Sequence, residues 1–426
     1  MAEKNDEIAS GGSGLRGEAL KKLRRPRRSE AEQRARLLDG RAWQAYCEDL
    51  AAAGRAVLDF PLEGAESETL RAEGFRYLLG LVRSGLYNAL ELAEPTAPRF
   101  IRNPDSQAKW GAENPDNQYL WARISPTGSY RVSGERRNVY DFLLEVKEGH
   151  MQLGDDRVFA AVTCRDLHFD AQGRFSVLLA PEKPPDPVGD FVPIHPEAHY
   201  LQVRQYLLDW ERESPASFAI ERIDAAEPAV LTAAAMADRL DLAGEWTHTT
   251  TRFWMEWVEE LRRGWRPGAI SPARRFVGGA PDIYYGNDWY KLGDDEALIF
   301  ESELPDARYW QIELCDPWFK TLEFASRQTS LNHLQSRADA DGRFRCVIAH
   351  RDPGVPNWLD TTGNREGMIQ YRWVWTRTNP EPSVRSVPFT ELAQHLPAGT
   401  PRITPAQRRA TLAMRAAHVQ RREPVA

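Results

Sequence analysis

Leu167-His-Phe-Asp-Ala-Gln-Gly-Arg-Phe-Ser-Val-Leu-Leu-Ala180 lies over Ser336-Arg-Ala-Asp-Ala-Asp-Gly-Arg-Phe-Arg-Cys-Val-Ile-Ala349, with six of these 14 positions identical at an offset of 169 residues. Each copy is one physical unit, a tight turn with Gly at the position that needs a positive φ, followed by a strand. At nearly the same offset Leu201-Gln-Val-Arg204 matches Ile369-Gln-Tyr-Arg372, and Tyr140 before a strand matches Tyr309. Order, spacing and residue type agree over roughly a hundred residues, so the chain holds two copies of one lobe. Period-2 alternation between turn residues predicts strands over 130–134, 140–146, 175–179 and 200–206, and the pattern resumes from 281 to about 375. Short strands without βαβ alternation predict a mainly β fold with flanking helices, namely two tandem jelly-roll-like β-sandwich lobes related by internal duplication.

Working outward, residues 1–65 read as a basic, disordered lead-in and a short helix over about 29–53. The lead-in ends in Lys21-Lys22-Leu23-Arg24-Arg25-Pro26-Arg27-Arg28, readable as a solvated tail or as a nucleic-acid arm. Residues 66–112 form a helical segment, with Ser67 placed to cap it and Phe75, Leu78, Leu79, Val82 and Leu86 as its buried stripe. The first lobe is placed at 113–224 and the second at 281–392. Between them 225–280 is a helical connector split near Gly244, whose second half carries Trp246, Phe253, Trp254, Trp257 and Leu261. Those rings read as core between the lobes or as the lining of a pocket. Residues 393–426 form a C-terminal basic helix and tail.

Composition bounds the function. The 426 residues carry 55 Lys+Arg against 62 Asp+Glu, a net charge of −7, which argues against a whole-surface nucleic-acid binder. No apolar run approaches the roughly 18 residues of a membrane span. The N-terminus lacks the apolar core of a secretory signal, and Cys47, Cys164, Cys315 and Cys346 form no CxxC pair, so a soluble, cytoplasmic protein with reduced thiols is expected. Aromatic residues are abundant: 14 Trp, 13 Tyr and 16 Phe.

Asn357-Trp358-Leu359-Asp360-Thr361-Thr362-Gly363, with Asp352-Pro353-Gly354 before it and Arg372-Trp373 after it, resembles the C-terminal module of a bacterial family known as domain of unknown function twelve-fourteen. Asn114-Pro-Asp-Asn-Gln-Tyr119, Tyr130-Arg-Val-Ser-Gly134, Arg204-Gln-Tyr-Leu-Leu-Asp-Trp210 and Ile220-Glu-Arg222 are similar to its two-module members. The resemblance covers about 68–224 and 284–376. It implies two jelly-roll-like lobes and no catalytic residues. Asp190-Phe191-Val192-Pro193 carries Phe where the resemblance would place Trp.

No GxGxxG, Walker A, HExxH or GxSxG signature is present, so no cofactor is expected. The second lobe offers Asp360 as a base, His333 as a proton donor and Arg327 or Arg372 to hold an oxygen anion. Trp358, Tyr290, Trp318 and Asn357 are the candidate substrate walls. The plain alternative is that Asp360 and Asn357 build turns and that Arg204 and Arg372 are ion-pair partners, with Asp209 or Glu213 serving Arg204. His195-Pro196-Glu197-Ala198-His199 could place two imidazoles and a carboxylate on one strand face for a metal, or lie in a surface loop. The expected function is acid–base chemistry (hydrolysis, dehydration or isomerisation) on a small, largely apolar or cyclic molecule in an aromatic cleft. The alternatives are a non-catalytic carbohydrate- or ligand-binding protein and a metal-dependent enzyme. The partner is then a small molecule, with no membrane or nucleic acid and with room for a homo-oligomer.

Overall fold

The structure, a computed structural model, describes residues 24–62, 67–224, 230–276, 279–280 and 282–422. It is mainly β with flanking helices, in two β-rich lobes. The strands of the first lobe are β1 (Ile101–Arg102), β2 (Asn117–Arg123), β3 (Tyr130–Glu135), β4 (Asp141–Lys147), β5 (Val158–Thr163), β6 (Arg174–Ala180), β7 (Asp190–Pro193), β8 (Tyr200–Tyr206) and β9 (Ala219–Arg222). Those of the second are β10 (Ile283–Lys291), β11 (Glu296–Glu303), β12 (Ala307–Cys315), β13 (Ser330–Asn332), β14 (Arg343–Ala349), β15 (Trp358–Asp360), β16 (Glu366–Thr376) and β17 (Ser383–Pro388).

The first lobe stacks the sheet β1-β2-β8-β4-β5 on the sheet β7-β6-β3-β9, and the second stacks β10-β16-β12-β13 on β15-β14-β11-β17. Apart from the short β1, the two lobes follow one strand order, including the parallel pairs β6–β7 and β14–β15. Phe142, Leu144 and Val203 meet Val132, Phe175 and Val177 in the first core, and Ile312, Ile369 and Trp373 meet Phe300, Phe344 and Ile348 in the second. The turn glycines Gly173 and Gly342 have φ of 75° and 77°, and their amides donate to the carbonyls of Asp170 and Asp339 at 2.9 Å. Phe191 stands opposite Leu178 where Trp358 stands opposite Val347, so it takes the place of that tryptophan.

Three local expectations differ. β4 and β12 align at an offset of 168, because Asp141 opposes Tyr206 and Tyr309 opposes Val374; Tyr309 therefore occupies the place of Asp141, not of Tyr140. The helix Ser67–Leu86 turns a different face inward: Leu70, Gly74, Tyr77, Leu78 and Leu81 are buried, whereas Phe75, Leu79 and Leu86 are 38%, 69% and 37% exposed. The reason is Gly74, where an added Cβ would lie 2.4 Å from the Trp318 ring. Small size at Gly74 turns the helix so that this set of apolar residues, rather than the Phe75–Leu79–Leu86 set, meets the core. The residues preceding Ser67, where a cap would form, lie outside the described residues. The connector is one unbroken helix, Ala233–Gly264, with Gly244 inside it. Its glycine costs about 1 kcal/mol of helix propensity and lets Asp49 approach, since a Cβ there would lie 2.2 Å from Asp49 Oδ2.

Two helices, Glu30–Leu38 and Arg41–Asp59, precede Ser67–Leu86 and pack on Ala233–Gly264. The described end of the basic run is docked: Arg24 pairs with Asp155 at 2.8 Å, Arg25 with Asp49 at 2.6 Å and Arg28 with Asp241 at 3.2 Å. Lys21 to Leu23 lie outside the described residues. The C-terminal helix Pro405–Arg422 also turns cations inward. Arg415 donates to the carbonyls of Phe324 and Arg327, and Arg422 to that of Pro115.

The Asn114-Pro-Asp segment locks the lobes together. The Tyr309 hydroxyl donates to Asp116 Oδ2 at 2.7 Å and accepts from Asn114 Nδ2 at 2.8 Å, while Trp210 and Asn332 donate to Asp116 Oδ1 at 2.7 and 2.8 Å. Among the described residues no helix is long and apolar enough to cross a membrane.

Candidate functional site

Strand alternation builds a polar face on each lobe where it meets the other. Phe142, Leu144 and Val146 point into the first core, so Glu145 and Lys147 point away from it; on β8, Leu201 and Val203 point in and Gln202 and Arg204 out. The second lobe repeats this with Ile312 and Leu314 in and Glu313 out, Ile369 and Tyr371 in and Gln370 and Arg372 out. The register is the same: Gln202 opposes Glu145 and Gln370 opposes Glu313. Tyr119 opposes Arg204 and Tyr285 opposes Arg372, each guanidinium 5.8 Å from its ring centre.

Each lobe thus presents one arginine held by one buried glutamate, Arg372 itself buried and Arg204 largely covered. Arg204 Nε lies 3.1 Å from Glu145 Oε2. Arg372 donates to Glu313 Oε1 at 2.7 Å and to the Ala112 carbonyl. Arg204 therefore pairs with Glu145 and not with Asp209 or Glu213, whose loop lies beyond the end of β8. The carboxyl of Glu213 accepts from the Leu208 amide at 2.5 Å. Burial opposes the charge on both guanidiniums, yet the glutamates hold them above their ordinary values. Burial pushes Glu313 up to about 8 against the pull of Arg372.

These faces and the helical layer line a hollow of about 140 Å³ that opens to the surface. Its apolar walls include Trp110, Trp254, Trp257 and Phe319, and Arg204, Arg372, Lys147, Glu113, Gln202 and Gln370 reach its lining. A cavity of about 150 Å³ holds one benzene, so this hollow is sized for a single small ring. Burial pushes Glu113 up to about 7 although Lys109 and the Thr321 hydroxyl pull it down. Burial pushes Lys147 down to about 8 and His150 down to about 3. Neutral His150 faces Asn88 Oδ1 at 3.2 Å through Nε2. Among the described residues, Gln370 Oε1, Gln152 Nε2 and Trp254 Nε1 are buried without a hydrogen-bond partner.

A larger hollow of about 590 Å³ lies against the second lobe and includes Tyr290 and Trp265. The cations along it are paired on the surface, Lys291 with Glu366 at 3.4 Å and Arg365 with Asp294 at 2.6 Å. Buried, partly satisfied charge distinguishes the interlobe hollow.

The residues singled out in the sequence fall in several places. Asp360 pairs with Arg327 at 3.0 Å and accepts from the Thr362 amide at 2.8 Å. His333 lies apart, among the rings of Tyr140, Tyr309 and Trp310. Arg372 alone of that set lines the interlobe hollow. Asn357 is engaged by the backbone of Arg337 and Arg345, Trp358 donates to the Ala349 carbonyl, and Trp318 to that of Leu70. His195 stacks on Phe159 at 4.0 Å, and Glu197 forms a fork with Arg157 at 2.8 Å. Among the described residues no three His, Cys, Asp or Glu side chains are grouped to hold a metal ion. Glu113, Glu145, Lys147 and Glu313 were not singled out. For Glu145, Lys147 and Glu313 the signal was a charged residue at alternate positions of a strand whose other face is apolar; Glu113 lies in the loop before β2 and carried no such signal.

Residues 288–377 match a family described as protein of unknown function (DUF1214). No curated protein matches the chain. Among solved structures, an uncharacterized protein from Burkholderia cenocepacia is 32% identical with a TM-score of 0.78, over 84% of this chain and 99% of that one. A protein from Vibrio parahaemolyticus is 12% identical with a TM-score of 0.45, over 80% of this chain and all of that one. At that identity and coverage, the chain belongs to the same family as the Burkholderia cenocepacia protein.

Proposed function

We propose that the interlobe hollow is the working site and that the protein performs acid–base chemistry there, without a cofactor, on a small ring compound bearing an anionic oxygen. One observation carries this reading: equivalent positions of the two lobes each bring an arginine, buried in the second lobe and largely covered in the first, to one aromatic-walled hollow. Arg372 and Arg204 hold the oxygen, held in turn by Glu313 and Glu145. Glu113, pushed up to about 7, is poised to take and return a proton near neutral pH. The Trp and Phe walls exclude water and supply the apolar contact. The two lobes, placed at 113–224 and 281–392, are read as duplicated jelly-roll-like units of a two-module member, with the Asn357–Gly363 motif building the second.

The test is the unfolding midpoint of the full chain with benzoate, toluene, glucose or zinc. A ligand at 100 times its dissociation constant adds roughly 2.7 kcal/mol of stability. Benzoate is expected to raise the midpoint, toluene less, and Arg372→Lys to remove most of the benzoate effect. Loss of solvent deuterium uptake beside the carbonyl of a cyclic keto acid in Glu113→Gln would support catalysis. A shift with glucose alone, or binding without exchange in the native chain, would favour the ligand-binding reading. A zinc shift lost in His195→Ala would favour the metal reading.

A further inference from the structure

Lys147 ends β4 inside the hollow. A buried lysine normally keeps its charge by pairing with a carboxylate. Lys147 has no ion-pair partner among the described residues: Nζ lies 3.4 Å from the amide oxygen of Gln202 and 5.7 Å from the centre of the Trp121 ring. Glu145, two residues earlier on the same face, is turned to Arg204. Arg204 from β8 adds repulsion, and Glu145 and Asp156 add attraction too weak to offset burial. The result is an amine held against a hollow one ring wide, with an anion-holding arginine in the same lining.

We propose that Lys147 is an amine nucleophile that forms a Schiff base with a small cyclic or aromatic aldehyde or ketone. The inference rests on the interlobe reading and specifies its substrate class. The nitrogen lone pair of Lys147 adds to the carbonyl carbon, and the C=O π pair moves to oxygen. A proton passes from nitrogen to that oxygen, giving a carbinolamine. A second proton, taken from solvent, lets the hydroxyl leave as water, and nitrogen closes the C=N bond as an iminium. No oxidant or metal is needed.

The experiment incubates the full chain with benzaldehyde and cyanoborohydride at pH 8, then maps benzylated lysines by peptide mass spectrometry. A lysine of ordinary basicity is under about one per cent free amine at that pH, whereas Lys147 is about half free amine. Labelling at Lys147 is therefore expected at least about tenfold faster than at the half-exposed Lys291, and slowed by benzoate. Lys147→Met should lose that label and no other. Benzylation spread over surface lysines with Lys147 unmodified overturns the proposal. This needs only the native chain, so a misfolded variant does not obscure it. If benzoate still stabilises through Arg372 while Lys147 stays unlabelled, the Schiff base fails and the interlobe reading stands; if benzoate does neither, that reading fails as well.

Discussion

Replacing Arg372 by Met keeps the unbranched stem of the side chain and deletes its guanidinium. Three things are lost together: the 2.7 Å bond to Glu313, the bond to the Ala112 carbonyl, and the field that draws Glu313 down. Where Glu313 is ionised, breaking one side of a buried pair costs about 3–5 kcal/mol, because the remaining charge is left without compensation. The pH dependence carries the argument further. Glu313 already sits above its unfolded value and rises further without Arg372, so the folded state holds its proton more tightly than the unfolded state does. Its contribution is then favourable at low pH and is lost as pH rises through the folded value. Arg372→Met should accordingly lose little at pH 5 and most at pH 9. The double variant Arg372→Met with Glu313→Leu should be about 2–4 kcal/mol better than the sum of the single changes. Calorimetric unfolding of the four proteins across that pH range measures both quantities. A penalty below about 1 kcal/mol that does not change with pH would mean that the pair is solvated, and the interlobe site would lose its electrostatic basis.

Other outcomes follow from the packing and from the second polar locus. Gly74→Ala should destabilise by about 1–3 kcal/mol less the roughly 1 kcal/mol gained in helix propensity, because its Cβ would lie 2.4 Å from Trp318. Gly54→Ala, on a helix with only Leu78 Cδ2 at 4.0 Å, should instead stabilise by about 0.5–1 kcal/mol; urea denaturation separates the two, and equal effects would refute the packing account. Asp360→Asn retains an acceptor for the Thr362 amide and loses a pair whose arginine is half exposed, so it should cost about 1 kcal/mol or less and leave benzoate binding unchanged. A tenfold or greater loss of affinity would move the site to the Asn357–Gly363 loop. Asp241, held below its usual value against burial by Arg36, contributes stability that is present above the unfolded carboxyl range and lost as pH falls through the folded value. Asp241→Asn should therefore flatten the acid limb of the unfolding profile.

Much of this protein is local and was readable in its residues. The Asp-Ala-x-Gly turns, the alternation that points Leu144 inward and Glu145 outward, and the recurrence of Gln-x-Arg on β8 and β16 depend on neighbours one to four positions apart. Partnership across the sheet does not. Arg372 meets a glutamate 59 residues away, and its lobe mate Arg204 passes over the nearby Asp209 and Glu213 for Glu145. Lys147 and Glu145 look like neighbours that should pair, yet the cross-strand arginine takes the carboxylate and leaves the amine facing only the neutral amide oxygen of Gln202 and the Trp121 ring. The inward face of Ser67–Leu86 was likewise decided by where Trp318 needed room, not by the placement of leucines. The sequence alone determined the strands, the turns, the repeat and which residues are polar on each face. Only the packing of one lobe against the other decided which charges are desolvated and which remain unpaired, because desolvation and long-range pairing depend on what covers a residue rather than on what precedes it in the chain.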